Sequence, residues 1–199
     1  MPLDIVSSID GKWNGTDNSG RLVARDYADG GNDAKVIVKK HFSNIIPSSA
    51  VTNTTTETLF DQYYTVPANL LQPGSVIRIR YQGIVSAAAA GNFNSKLYIG
   101  GLAGTGLQTE TATAAVANQI FAGQMELTIR TIGAAGTFVG SGWFNAVPAA
   151  SGTATLVINS LASTAINTTV AQVIGVSALW SAANAGNSAR LDQFDVEIF

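Results

Sequence analysis

Alternation of apolar and polar side chains is the feature that most limits what this chain can fold into. In Val76-Ile77-Arg78-Ile79-Arg80-Tyr81-Gln82, the residues Ile77, Ile79 and Tyr81 alternate with Arg78, Arg80 and Gln82. A period of two sends alternate side chains to opposite faces of an extended chain, so this run reads as a half-buried strand. Met125, Leu127 and Ile129 alternate in the same way with Glu126, Thr128 and Arg130, and Phe194, Val196 and Ile198 with Asp195 and Glu197. Strand-like runs lie near 57–66, 75–86, 93–101, 120–133, 136–147, 153–159, 170–180 and 189–199. Between them come turn-forming stretches such as Gln72-Pro73-Gly74, Ala90-Gly91-Asn92, Gly133-Ala134-Ala135-Gly136 and Ala185-Gly186-Asn187. Short strands so punctuated predict an all-β sandwich or barrel. Residues 102–119 fit no strand and are expected to form a long loop or a short helix. The expected core holds Leu59, Ile77, Ile79, Leu97, Ile99, Leu127, Ile129, Phe194, Val196 and Ile198.

The charge is unevenly placed. Charged residues make up 12% of the 199 residues, about half the usual share. Half of them lie between Asp4 and Lys40, whereas Thr131 to Ala189 contains no Asp, Glu, Lys, Arg or His. Composition shifts near residue 50, where Ser48 to Thr56 reads as a polar linker. The expected organisation is therefore a charged arm over residues 1–50 and a β domain over 51–199. The uncharged stretch has two readings. Either Ser, Thr, Asn and Gly solvate its strands, or other chains cover it, because interface cores are depleted of charge. On the second reading Phe138, Trp143, Phe144 and Val147 are candidates for an interface between subunits.

A net charge of −2 gives no electrostatic footprint for nucleic acid or an anionic membrane. Zero cysteines exclude a disulfide framework, a thiolate metal site and a cysteine nucleophile. The opening MPLDIVSSIDGKW lacks the basic and apolar regions of a signal peptide, and the chain is expected to be soluble and unprocessed. The single histidine, His41, would have to serve as base in any hydrolytic triad, and Gly140-Ser141-Gly142 has the wrong spacing for a nucleophile elbow. Between Gln62 and Ala189 the acids are Glu110 and Glu126, while Glu57 and Asp61 read as solvated strand-face residues. Asp10 to Gly15 fails the calcium-loop template at Lys12 and Arg21, Asp29-Gly30-Gly31-Asn32-Asp33 reads as a tight turn, and no Walker loop occurs. These absences argue against an enzyme and call for no cofactor or metal.

Thr56-Glu57-Thr58-Leu59-Phe60 and Val66-Pro67-Ala68-Asn69-Leu70-Leu71-Gln72-Pro73-Gly74-Ser75-Val76-Ile77-Arg78-Ile79-Arg80 resemble a domain recurrent in virion proteins of tailed bacteriophages. Leu97-Tyr98-Ile99-Gly100-Gly101, Thr168-Thr169-Val170 and Val176-Ser177-Ala178-Leu179-Trp180-Ser181-Ala182-Ala183-Asn184-Ala185-Gly186-Asn187-Ser188 are similar as well, so the likeness spans about residues 56–199. It implies a jelly-roll sandwich of two four-stranded antiparallel sheets, preceded by a β-rich arm. Such domains serve as capsid decoration or cement proteins, head fibres or tail components, often as homotrimers. The expectation that follows is a structural protein on the outer capsid surface of the virion, bound to the major capsid protein or other virion proteins.

Within the arm, Arg21, Arg25, Lys35, Lys39 and Lys40 are candidates for docking to an acidic capsid surface. The other reading is that the arm extends the sandwich as edge strands, where lysines discourage unwanted pairing. A different class of function, a carbohydrate- or receptor-binding module, needs exposed aromatic residues. Trp13, Tyr27, Tyr63, Tyr64, Trp143 and Trp180 are available for it, although strand aromatics usually pack into cores.

Overall fold

The computed structural model of the protein describes residues 12–16, 22–26, 40–88, 91–111, 116–146 and 155–199. The chain divides into two units, Met1–Val38 and Lys39–Phe199. In the first, β1 (Lys12–Thr16) pairs antiparallel with β2 (Leu22–Asp26), in a register running from Lys12 opposite Asp26 to Thr16 opposite Leu22.

The second unit is a sandwich of two antiparallel sheets, with no α-helix among the described residues. One sheet is seven-stranded. Its order is β12 (Thr155–Ile166), β11 (Gly136–Ala146), β10 (Val116–Thr131), β7 (Val76–Ala87), β14 (Ser188–Ile198) and β3 (Lys40–Ser43), and β4 (Val51–Thr52) also pairs with β14. The other is five-stranded, in the order β5 (Thr58–Leu59), β13 (Gln172–Trp180), β8 (Phe93–Ile99) and β9 (Thr105–Thr111), with β6 (Tyr64–Val66) also on β13. The all-β sandwich expected from alternation is present, but its strands divide seven and five instead of four and four. Three causes account for this. The 57–66 run breaks into β5 and β6, residues 40–52 add two short strands, and β9 forms where a loop or short helix is expected.

The supposed linker is part of the sheet. Ser48 N–H donates to the Leu191 carbonyl (2.8 Å), and Leu191 N–H returns a bond to Ser48 Oγ (2.9 Å). Asn44 N–H donates to Phe194 O, and Asn44 Oδ1 accepts from Phe194 N–H at 2.6 Å. Asn53 N–H reaches Asn187 O, and Trp180 N–H reaches Thr54 O. Polar side chains here stitch a meandering segment to β14 by supplying bonds that a regular ladder would supply. The division of the chain accordingly falls between Val38 and Lys39, and not near residue 50.

Most of the described part of 102–119 is also strand, residues 112–115 lying outside the described residues. After a 3₁₀ turn at Gly101–Ala103, β9 pairs with β8, and β10 begins at Val116. Two irregularities hide the period. A register shift between Leu97 and Tyr98 leaves Leu107 and Gln108 both buried on β9, and Asn118 takes φ 52° where β10 slips against β7. The Gln72-Pro73-Gly74 turn forms as its residues dictate. Ser75 N–H donates to Gln72 O (2.9 Å) while Gly74 holds φ 86°, the left-handed value that a type II turn needs after proline.

The core lies between the sheets, fed by the inward rows of both. Nine of the expected core residues are buried, and Leu59 is half-buried on β5. An aromatic chain crosses the interior: the Phe60 and Phe121 rings lie 6.2 Å apart, Phe121 and Phe93 5.3 Å, and Phe93 and Trp180 5.4 Å. In the ladder of β7 and β10, Phe121 faces Gly83 and Tyr81 faces Gly123. Each ring lies over the missing side chain of the opposite strand, so two glycines leave the space that two aromatics occupy.

Candidate interaction surface

Register assigns the outer face of the seven-stranded sheet row by row. One row reads His41, Glu197, Arg78, Glu126, Ser141 and Ser160 across β3, β14, β7, β10, β11 and β12. The next reads Ser43, Asp195, Arg80, Gln124, Trp143 and Ile158. Both rows carry charged residues on β14 and β7 and uncharged ones on β11 and β12.

At the charged end Arg78 ties three strands together. Its Nε and Nη2 donate to Glu126 Oε2 at 3.2 and 3.0 Å, its Nη1 lies 3.5 Å from Glu197, and its guanidinium sits 5.1 Å from the Phe199 ring centre. His41 Nε2 is 3.8 Å from Asp195 Oδ1, an ion-pair distance and too long for a hydrogen bond. A hollow of about 210 Å³ lies among His41, Arg78, Arg80, Asp195 and Glu197. Its lining holds no hydroxyl or thiol for His41 to activate. Paired charges half in solvent contribute little stability, and here they give the face a fixed polar pattern.

The five-stranded sheet carries a second cluster. Glu57 Oε1 accepts hydrogen bonds from Ser177 Oγ (2.7 Å) and the Tyr98 hydroxyl (2.9 Å), and Glu57 Oε2 accepts one from Lys96 Nζ (3.3 Å). Burial works to raise the Glu57 pKa, but the bonds from Ser177, Tyr98 and Lys96 outweigh it and hold the carboxyl below its ordinary 4.5. Burial and the neighbouring carboxylate push the Tyr98 hydroxyl up. Glu57 is thus a clasp joining β8 and β13 to the chain before β5, and not the solvated strand-face residue expected from sequence. Asp61 also has a partner, accepting from Ser49 N–H with both oxygens at 3.1 and 3.2 Å. A carboxyl whose folded pKa is depressed contributes stability above its unfolded pKa and loses it as pH falls through the folded value. Glu57→Gln is therefore expected to lower the melting temperature at pH 7, with the gap to the parent narrowing below about pH 4.5. Melting curves across pH 3–7 check this, and a gap that widens on acidification would refute it.

The uncharged end is different. Ile158 is 80% exposed and Trp143 37%, and the two face each other across β11 and β12. Beneath them, between the sheets, a cleft of about 330 Å³ is lined by residues of β9, β11 and β12. The candidate interface residues separate accordingly. Trp143 is on the surface, Phe144 is buried and lines the cleft, and Phe138 is fully buried. Phe138 points inward from β11 opposite Ile129, so its own subunit's core takes it out of any interface. Val147 lies outside the described residues. The charge-free stretch also supplies β13, whose Ile174, Val176, Ala178 and Trp180 are fully buried. Part of the missing charge thus reflects the interior of the sandwich, and the rest falls on β11 and β12.

Of the docking candidates, Arg21, Lys35 and Lys39 lie outside the described residues, as does the Asp29–Asp33 turn. Arg25 stands on β2 opposite Trp13, and Lys40 opens edge strand β3 opposite Ile198. Among the aromatics considered for sugar binding, Trp180 is buried, Tyr64 is half-buried, and Tyr63 (48%) and Trp143 (37%) are exposed. Tyr27 lies outside the described residues. No group of three or more potential metal ligands occurs among the described residues, and no helix there is long and apolar enough to cross a membrane.

No family model matches the chain, and no curated protein matches it. Similar solved structures include that of infectious bursal disease virus Gx strain, at 12% identity and a TM-score of 0.36. That match covers 100% of this chain but 37% of the viral one. The CBM2 module of the Lactobacillus casei BL23 phage J-1 evolved Dit matches at 14% identity and a TM-score of 0.32, covering 76% of this chain and 74% of that one. Winged bean acidic lectin complexed with methyl-alpha-D-galactose matches at 9% and 0.31, covering 80% and 98%. At these TM-scores none of the three lends weight to a functional reading.

Proposed function

We propose that the chain is a non-enzymatic structural protein of a tailed-phage virion, a decoration protein that binds the outer capsid and works as a homo-oligomer. The observation that carries this reading is the resemblance over residues 56–199, set on a chain that folds there as an antiparallel two-sheet sandwich. The absence of a nucleophile beside His41 and the internal pairing of the Glu57 cluster support a scaffold role over chemistry. A tail or fibre location is the variant within the same class. Electron microscopy of virions labelled with antibody against the chain tests the proposal: label over the capsid shell supports it, label confined to the tail moves the protein to the variant, and unlabelled virions refute both.

Docking is assigned to the unit before Lys39. Removing residues 1–50 would also remove β3 and both Ser48–Leu191 bonds, so the informative cut lies after Val38. The 39–199 protein is expected to keep its cooperative melting transition and to lose particle binding in a sedimentation assay. Full occupancy by the truncated protein would move the docking role to the sandwich.

A further inference from the structure

The two edges of the seven-stranded sheet are unlike. At one, β3 is short and carries Lys40 and His41, with Asp195 and Glu197 on the neighbouring β14. At the other, β12 runs 12 residues, Thr-Leu-Val-Ile-Asn-Ser-Leu-Ala-Ser-Thr-Ala-Ile, with no charge and no proline. Among the described residues it pairs only with β11. A long unguarded edge is a template for another strand, and monomeric proteins blunt such edges with lysine, proline, bulges or short length. From Thr155 to Leu161 β12 has none of these devices, and its register shift against β11 lies beyond that stretch, between Leu161 and Thr164.

Two further observations lie on the same side of the molecule. Ile158 on β12, at 80%, is the most exposed large apolar residue of the outer face and sits beside the exposed Trp143; Ile120 on β10 is a further exposed apolar residue of that face, whereas Arg78, Glu126 and Glu197 are ion-paired. Under the edge, Gln108 lines the cleft between β9 and β12 and is 2% exposed, yet neither its amide nitrogen nor its amide oxygen has a hydrogen-bond partner. A buried amide with both ends unpaired is costly unless something else meets it.

We propose that β12 pairs antiparallel with β12 of a second copy of this chain about a twofold axis, joining two seven-stranded sheets into one continuous sheet. The occupant is a second copy because an uncharged strand meets itself without repulsion, while the β3 edge offers four residues of which Lys40 is charged. The backbone groups of β12 that face away from β11 gain a full ladder, Ile158 and Trp143 are covered from the seam, and the mouth of the cleft closes over Gln108. Antiparallel self-pairing is isologous and closes as a dimer, not as the trimer implied by resemblance. The inference rests on the homo-oligomeric part of the proposed function, and its test uses purified protein without particles, so its failure leaves the virion assignment standing.

Sedimentation equilibrium of the full chain is expected to give twice the 20.6 kDa chain mass at roughly 10 μM, a concentration that suits a micromolar complex. The I158K/S160K variant places two like charges per copy beside the seam on exposed positions. It is expected to weaken dimerisation about tenfold or more, with the melting transition retained. Because the chain has no cysteine, single cysteines can be placed one at a time from Val157 to Ser163 and oxidised. Antiparallel self-pairing sets one position opposite itself, so cross-linking should peak there and fall away on both sides. A monomeric or trimeric mass, a dimer indifferent to the lysines, or a cysteine scan without a single maximum would overturn the proposal.

Discussion

Ile129→Asp is expected to abolish the folded sandwich at room temperature. Ile129 is fully buried on the inward row of β10, opposite Phe138 on β11, and its main chain exchanges hydrogen bonds with the Gly74–Ser75 turn. The substitution loses about 1.5–3 kcal/mol of apolar transfer and also places a carboxylate where no cation stands to pair with it. A total on the order of 5 kcal/mol is comparable with the whole stability of a typical domain. Ile129→Val is the control, since it removes one methyl group and should cost only about 1 kcal/mol. Urea denaturation followed by tryptophan fluorescence measures both. An Asp variant that unfolds at the parent midpoint would take Ile129 out of the core.

The second large effect is expected at the two glycines under aromatic rings, where the structure separates two kinds of crowding. A Cβ on Gly83 would collide with the Phe121 ring and also with the Arg190 carbonyl oxygen, which is backbone. For a Cβ on Gly123 the three nearest atoms all belong to the Tyr81 ring and hydroxyl. Either Gly→Ala change overpacks the ladder, at a cost of about 1–3 kcal/mol or more. Their second-site behaviour should differ. Adding Tyr81→Leu to Gly123→Ala is expected to recover about 1 kcal/mol of coupling energy. Adding Phe121→Leu to Gly83→Ala is expected to recover little, because the carbonyl cannot rotate away and the chain of Phe60, Phe93 and Trp180 loses its middle ring. Two double-mutant cycles in urea decide it, and equal coupling in both would contradict the geometry.

The sequence made parts of this molecule legible for physical reasons. Where a strand has one face in the core and the other in solvent, as in β7, β10 and β14, the period of two is printed in the residues, and the inward rows followed directly. The Pro73-Gly74 turn was readable because its residue types match its dihedral angles. Legibility failed where polar side chains took over from the regular ladder. Ser48 and Asn44 look like linker residues until their bonds to Leu191 and Phe194 are seen. It failed again at bulges, which put Leu107 and Gln108 on one side of β9. The surface was harder still. Absence of charge between Thr131 and Ala189 pointed to something covered, but buried β13 and exposed β12 carry that same signature for opposite reasons. Composition has no term for which neighbour does the covering, so Phe138 looked like an interface residue and belongs to the core. Glu57 was readable as a carboxylate, but its three donors come from residues 39 to 120 positions away along the chain.

The position of β14 has a consequence for timing. It is the last strand in the order of the chain, yet it lies inside the seven-stranded sheet, between β7 and β3, and its anchoring bonds to Asn44 and Ser48 span 150 and 143 residues. While the polypeptide is being made, β3, β4 and β7 must wait with their β14-facing edges open until the intervening strands through β13 have been synthesised. Closing such distant pairs is slow, on the order of milliseconds to seconds for β-rich domains, and the waiting edges are sticky in the meantime. The sheet is completed from its interior rather than from its margin, which makes nascent chains vulnerable to one another for as long as β14 is missing.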